Sequence, residues 1–173
     1  MELTGKRFVL LVETIFNDHE FWYPYYRLQE AGAEVTVVGS GSADRYTGKS
    51  GTVAKADMPA SKVDPNLYDG IIIPGGYAPD HMRRHQAMKD LVRTFDEQGK
   101  VVAAICHAGW LLVSAGILKG RTVTSFVAIR DDLVNAGADW VDREVVRDRN
   151  LVTSRTPDDL PVFMRTIIET AAE

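Results

Sequence analysis

Three short, unbroken apolar runs constrain this chain more than any other feature. They sit inside Arg7-Phe-Val-Leu-Leu-Val12, Asp69-Gly-Ile-Ile-Ile-Pro74 and Lys100-Val-Val-Ala-Ala-Ile105. Consecutive apolar residues without alternation are what a strand carries when helices cover both of its faces. Each run is followed by a segment with helical spacing. Asp18 to Ala31 puts Phe21, Tyr25 and Leu28 on one side, and Gly32 stops it. A second helix is expected from about Pro79 or Arg84 to Gln98, with Met88, Leu91, Val92 and Phe95 facing inward and Gly99 at its end. A third runs from His107 to Ala115 and closes at Gly116. Repeated strand–helix units with short connections predict an α/β fold: a mostly parallel sheet with helices on both faces.

The rest of the chain fits around that frame. Glu34 to Val38 reads as a strand, and residues 39–66 as loops holding a short strand pair, Tyr46–Lys49 and Thr52–Ala54. Thr122–Ser125 is expected as a strand and Ile129–Ala136 as a helix. Trp140–Arg147 and Leu151–Ser154 are expected as a hairpin around Asp148-Arg-Asn150. Thr156-Pro-Asp-Asp159 supplies a threonine cap, a first-turn proline and two acids to a last helix ending near Ala171. With 173 residues and no repeat, linker or low-complexity stretch, one domain over residues 1–173 is expected.

Charge and cysteine usage narrow the function. Twenty basic residues against 24 acidic ones leave −4, with no broad basic face for nucleic acid. No apolar run approaches the ~20 residues that span a bilayer, and no secretory leader is recognisable, so a cytoplasmic location without membrane attachment is expected. The single cysteine, Cys106, cannot form an intramolecular disulfide. It falls directly after an apolar strand and directly before a helix. Open α/β sheets place their sites at that edge, and nucleophile elbows have the same layout with small neighbours, here Ala104, Ala108 and Gly109. A helix N-terminus is expected to lower the thiol pKa. The plainer alternative is a cysteine packed as a small hydrophobe.

Neighbouring residues suggest the supporting chemistry. His107 is a candidate base, or else a surface histidine. Pro74-Gly-Gly-Tyr-Ala-Pro79 frees backbone N–H groups at Gly75 and Gly76. With that of His107 they offer an oxyanion hole, or else merely a tight strand exit. Glu20, after the first strand, faces the same edge. A partly apolar cleft would raise its pKa and let it donate a hydrogen bond, although helix-surface glutamates are commoner. His19, His81 and His85 lack converging partners and read as a solvated surface, so no metal is expected. Phosphate and dinucleotide motifs are absent, so no cofactor is expected. Phe21-Trp-Tyr-Pro-Tyr-Tyr26 reads as core and interface packing, suggestive of a homo-oligomer.

Ala103-Ala-Ile-Cys-His107, Ile73-Pro-Gly-Gly-Tyr-Ala-Pro79 and Tyr23-Pro-Tyr25 together resemble the PfpI family. This is the ThiJ/PfpI branch of the class I glutamine amidotransferase-like superfamily. Thr47-Gly-Lys49, Ile129-Arg-Asp-Asp-Leu-Val-Asn-Ala-Gly137, Trp140-Val-Asp142 and Thr153-Ser-Arg155 match in order along nearly the whole chain. The resemblance implies a flavodoxin-like sandwich, a nucleophile at Cys106 with His107 beside it, and Glu20 as the carboxyl bonded to the thiolate. It also implies an acidic residue from a neighbouring subunit, at the place held here by Asp80 where glutamate is usual. Assembly would be a dimer or a dimer-based hexamer. Phe126 stands in Thr124-Ser-Phe126 where some relatives carry tyrosine, and Ala108-Gly109 stands where Gly-Pro is common. The implied activity is Cys-dependent: on small aldehydes or their protein adducts, or on peptide or amide bonds. The alternatives are a redox-sensing or protective protein whose Cys106 oxidises to sulfinate, and a small-ligand binding domain with an inert cysteine.

Overall fold

The computed structural model describes residues 1–173. The three apolar runs form β1 (Arg7–Leu11), β6 (Gly70–Ile73) and β7 (Val101–Ile105). With β2 (Glu34–Gly39), the short edge strand β5 (Met58–Pro59), β10 (Val145–Asp148) and β11 (Leu151–Ser154), they make a seven-stranded sheet ordered β10-β11-β7-β6-β1-β2-β5. Every pairing is parallel except the β10–β11 hairpin. Phe8 to Val12, Ile71 to Ile73 and Val101 to Ile105 are all buried, as doubly covered strands require.

The chain steps from β1 to β2 in one direction and from β6 to β7 to β11 in the other. Right-handed crossovers therefore divide the helices between the two faces. α1 (Asp18–Glu30) packs with the last helix, α6 (Leu160–Ala172). α2 (Ala78–Met82), α3 (Gln86–Glu97), α4 (Gly109–Ala115) and α5 (Arg130–Asn135) pack with one another on the opposite face. This is the flavodoxin-like three-layer sandwich. Strand order reverses beside β1 and β6, and the carboxyl ends there form the crevice in which open α/β folds bind ligands. No helix is long and apolar enough to cross a membrane.

Several expectations need correction. Of the two starts expected for the helix ending near Gln98, Arg84 is close and Pro79 is not: α3 begins at Gln86, and Ala78–Met82 is a separate short helix, cut off by a turn at Arg83 and Arg84 and by His85, which is extended at φ −103, ψ 117. The strand drawn over Trp140–Arg147 is also split. Its first part is β9 (Asp139–Trp140), which pairs in parallel with β8 (Thr122–Val123) in a separate ribbon. Thr156 makes no side-chain cap, and residues 157–159 form a tight turn before α6. Arg155 instead binds both Asp159 and Asp142.

A buried ionic cluster fastens the far side of the sheet. The Arg121 guanidinium donates to Asp96 at 3.0 Å, to the Asp148 carbonyl at 2.7 Å and to Asn150 Oδ1 at 3.0 Å. Arg121 is 5% exposed, so its charge is tolerated only because these acceptors surround it.

Candidate active site

Cys106 follows β7 and is the residue where the chain turns. Its φ is +61, a left-handed conformation that costs a non-glycine residue about 1–2 kcal/mol. A tight turn over residues 106–108 then leads into α4. The strained backbone lifts the side chain to the carboxyl edge of the sheet, as in a nucleophile elbow. Sγ lies 3.3 Å from Nδ1 of His107, so adjacent residues meet here despite the turn. The backbone N–H groups of His107 and Gly76 both face the sulfur.

The two glycines after β6 divide the work. The Gly75 N–H donates to Glu20 Oε2 at 2.7 Å, so it is not free to hold a substrate oxygen. Of the pair, only Gly76 keeps its donor on the sulfur side. Both positions require glycine for space. A Cβ at residue 75 would lie 2.5 Å from Glu20 Oε2 and 2.9 Å from Cys106 Cβ. One at residue 76 would lie 2.5 Å from Ile15 O and Asn17 N, and the Gly76 φ is +77.

Glu20 enters from α1, whose N-terminus is capped by Asn17 Oδ1 accepting from the N–H groups of His19 and Glu20. Its side chain is fully buried, and Oε1 has no hydrogen-bond partner of good geometry. The carboxyl and the Cys106 thiol are close enough to act on each other directly. Burial pushes Glu20 up to about 7, against the opposing pull of the Gly75 N–H, the thiol and Lys49. Burial and the facing carboxylate push the Cys106 thiol up to about 12. The lowering expected from the helix N-terminus is therefore outweighed. His107 is held below its usual value, chiefly by burial and then by the Lys49 charge, so its imidazole is neutral at pH 7.

Aromatic rings hold His107 in place. Phe126 stacks on it with centroids 4.9 Å apart, and Trp110 meets it edge-on at 5.1 Å. The Phe126 N–H donates to the Cys106 carbonyl, which ties this residue to the elbow itself. Asp80 lies elsewhere: it pairs with Arg84 and makes no hydrogen bond to His107 within the chain. His85 faces the buried Glu13 at 4.0 Å, and His81 lies in the last turn of α2 on the other side of the helix break.

The cavity over the thiol is about 310 Å³ and includes Asn17, Lys49, Tyr77 and Thr156 among its walls. That size suits a molecule of a few carbons. Lys49 and Thr156 are site residues that sequence reasoning did not assign. Lys49 appeared only at the end of an expected strand and within a matching segment, and Thr156 only as a helix cap.

The family model for the DJ-1/PfpI family matches residues 6–170. The deglycase PfpI of Pyrococcus furiosus is 45% identical over 154 residues, 89% of this chain and 92% of that protein. Among solved structures, a two-domain protein of Anabaena variabilis with DJ-1/ThiJ/PfpI-like and ferritin-like domains superposes with a TM-score of 0.93 at 41% identity. It covers 95% of this chain, which spans 48% of that longer one. Drosophila melanogaster DJ-1beta superposes with a TM-score of 0.90 at 28% identity, covering 98% of this chain and 92% of its own.

Proposed function

The chain belongs to the DJ-1/PfpI family, and from that footing we propose that it is a Cys106-dependent enzyme acting on small aldehydes, free or in equilibrium with their protein adducts. One observation carries the reading: a strained cysteine held between a neutral histidine, two N–H donors and a buried carboxyl with an unbonded oxygen. The deglycase name of the Pyrococcus relative supports the same substrate class.

The chemistry follows from those groups. Sγ bonds to the aldehyde carbon while the carbonyl π pair moves to oxygen. The thiol proton passes to His107 Nδ1 and from there to that oxygen. The Gly76 and His107 N–H groups are the nearest donors to the charge as it develops. With a 2-oxoaldehyde, the carbon-bound hydrogen of the hemithioacetal leaves as a proton to Glu20, and the neighbouring carbonyl carbon is reprotonated. The resulting thioester is cleaved by water to a 2-hydroxy acid and free thiol. One water is consumed and no oxidant is needed. A homo-oligomer in which Asp80 of one copy serves His107 of another belongs to the same proposal. His107 Nε2 has no partner within the chain to compete for that role.

Methylglyoxal loss and lactate formation are to be measured with the natural protein, Cys106→Ala and Glu20→Gln. Turnover that needs Cys106 is expected. Absence of such turnover, together with clean gain of two oxygens at Cys106 in mild peroxide, would replace this reading with that of a redox-sensing protein. In that case a protonated Glu20 would bind the sulfinate.

A further inference from the structure

We propose that Lys49 is the specificity-determining group of the Cys106 pocket and selects electrophiles that carry a carboxylate a short way along the chain from the reacting carbon, beyond the 2-oxo group that the reaction above requires. The proposal deepens the reading above, since it names the substrate class of the same site.

Lys49 is the only lysine on the wall of the cavity that holds the thiol, and no arginine, aspartate or glutamate shares that wall. Its charge reaches both catalytic partners, opposing the rise of Glu20 and lowering His107. An anion docked beside it would meet no carboxylate on the cavity wall to repel it, because Glu20 lies beneath the sulfur and is fully buried.

Lys49 is also held in place by its loop. It occupies the turn between β3 (Arg45–Thr47) and β4 (Val53–Lys55), which is folded back over the start of α1. Two main-chain bonds sew that turn to the loop after β1: Ile15 N–H to Thr47 O at 2.9 Å, and Lys49 N–H to Phe16 O at 2.8 Å. Asp18 closes the clamp. It is a buried carboxylate that accepts from the Ser50 N–H at 2.7 Å, the Thr52 N–H at 3.0 Å and the Thr52 hydroxyl. Trp22 Nε1 donates to the same hydroxyl at 2.8 Å. Gly48 is pressed so close that a Cβ there would lie 2.6 Å from Asp18 Oδ1. A turn merely closing a hairpin needs no buried carboxylate beneath it. This one is pinned on both sides of Lys49, which fixes where the long side chain begins.

The test uses two alkylating reagents of nearly equal shape, iodoacetate and iodoacetamide, which differ in charge. Cys106 is the only cysteine, so the mass of the intact protein reports its modification alone. The ratio of the iodoacetate rate to the iodoacetamide rate is expected to fall about tenfold in Lys49→Gln and to be restored in Lys49→Arg. It is expected to collapse in 1 M salt, where the screening length is about 3 Å. An unchanged ratio in Lys49→Gln, or one indifferent to salt, would overturn the proposal. So would a thiol that reacts with neither reagent, because the pocket would then admit no electrophile. Methylglyoxal turnover measured alongside separates the two readings. Turnover with an unchanged ratio sinks the role of Lys49 alone, and a lowered ratio without turnover sinks the aldehyde reading alone.

Discussion

Glu20→Gln should change how the stability of this protein depends on pH. The native carboxyl titrates at about 7, against 4.5 for the same group in the open, and burial is the largest cause. Raising a carboxyl pKa means that the folded chain holds a proton there which the unfolded chain has already released. Stability from this group is therefore fully present below 4.5 and is lost as pH rises through about 7. A displacement of roughly 2.5 units at 1.36 kcal/mol each gives a loss of about 3 kcal/mol across that window. Glutamine keeps an oxygen for the Gly75 N–H but carries no titrating proton, so its curve lacks this slope. Urea unfolding at fixed protein concentration reads the difference, with m taken as about 2 kcal/mol per molar. Between pH 4.5 and pH 8 the midpoint of the variant should gain about 1.5 M on that of the natural protein. A gap between the two curves that stays constant to within about 0.5 kcal/mol would refute the reasoning, since Glu20 would then be ionised throughout.

Three further outcomes follow from the same geometry. Gly75→Ala forces a methyl group between Glu20 and Cys106, and should cost about 1–3 kcal/mol in urea unfolding while slowing Cys106 alkylation more than tenfold. Arg121→Met leaves the half-buried Asp96 with Asn150 as its remaining donor; a loss of about 2–3 kcal/mol is expected, seen as a melting point lower by roughly 5–10 °C. In a Glu20→Gln background the acid limb of the Cys106 rate profile belongs to His107 and should lie below pH 6.5, because burial favours the neutral ring; a limb above 6.5 would remove His107 as the base.

The parts of the fold that could be read from sequence are those whose residues report their own surroundings. β1, β6 and β7 are buried on both faces, so their composition states that fact without reference to any partner. Cys106 was placed at the elbow because strand, cysteine and small residues are contiguous. The sequence left the start of α3 open between Pro79 and Arg84 because Arg83 and His85 carry no breaker signature. The break is set by tertiary partners: Arg83 Nε donates to Ser114 on α4, and its guanidinium lies 5.8 Å from the Trp110 ring. The split of the Trp140 strand has a similar origin. Trp140 Nε1 donates to Ser125, and the Val141 N–H donates to Val123, which draws that segment away from the hairpin. Asp18 was legible only as a helix start, because its partners Ser50 and Thr52 lie more than thirty residues away. Lys49 became a site residue only once that clamp was known.

The pKa order at the site bears on which chemistry it favours. A helix N-terminus led us to expect a standing thiolate, but α4 has seven residues and starts three beyond the cysteine. Burial and Glu20 act directly on the sulfur and win. A thiol pushed up to about 12 is roughly one part in 10⁵ thiolate at pH 7, against a few per cent for free cysteine. Dilute peroxide attacks only the standing thiolate, so the resting protein should be oxidised more slowly than free cysteine. A bound aldehyde is different, because His107 takes the proton as the carbon–sulfur bond forms, and the cost is met within one encounter. Competition kinetics of Cys106 against glutathione for peroxide decides between them. Slower oxidation of Cys106 fits a nucleophile made on demand. Faster oxidation would place the single negative charge of the pair on sulfur with the proton on Glu20, which is the arrangement a redox sensor needs.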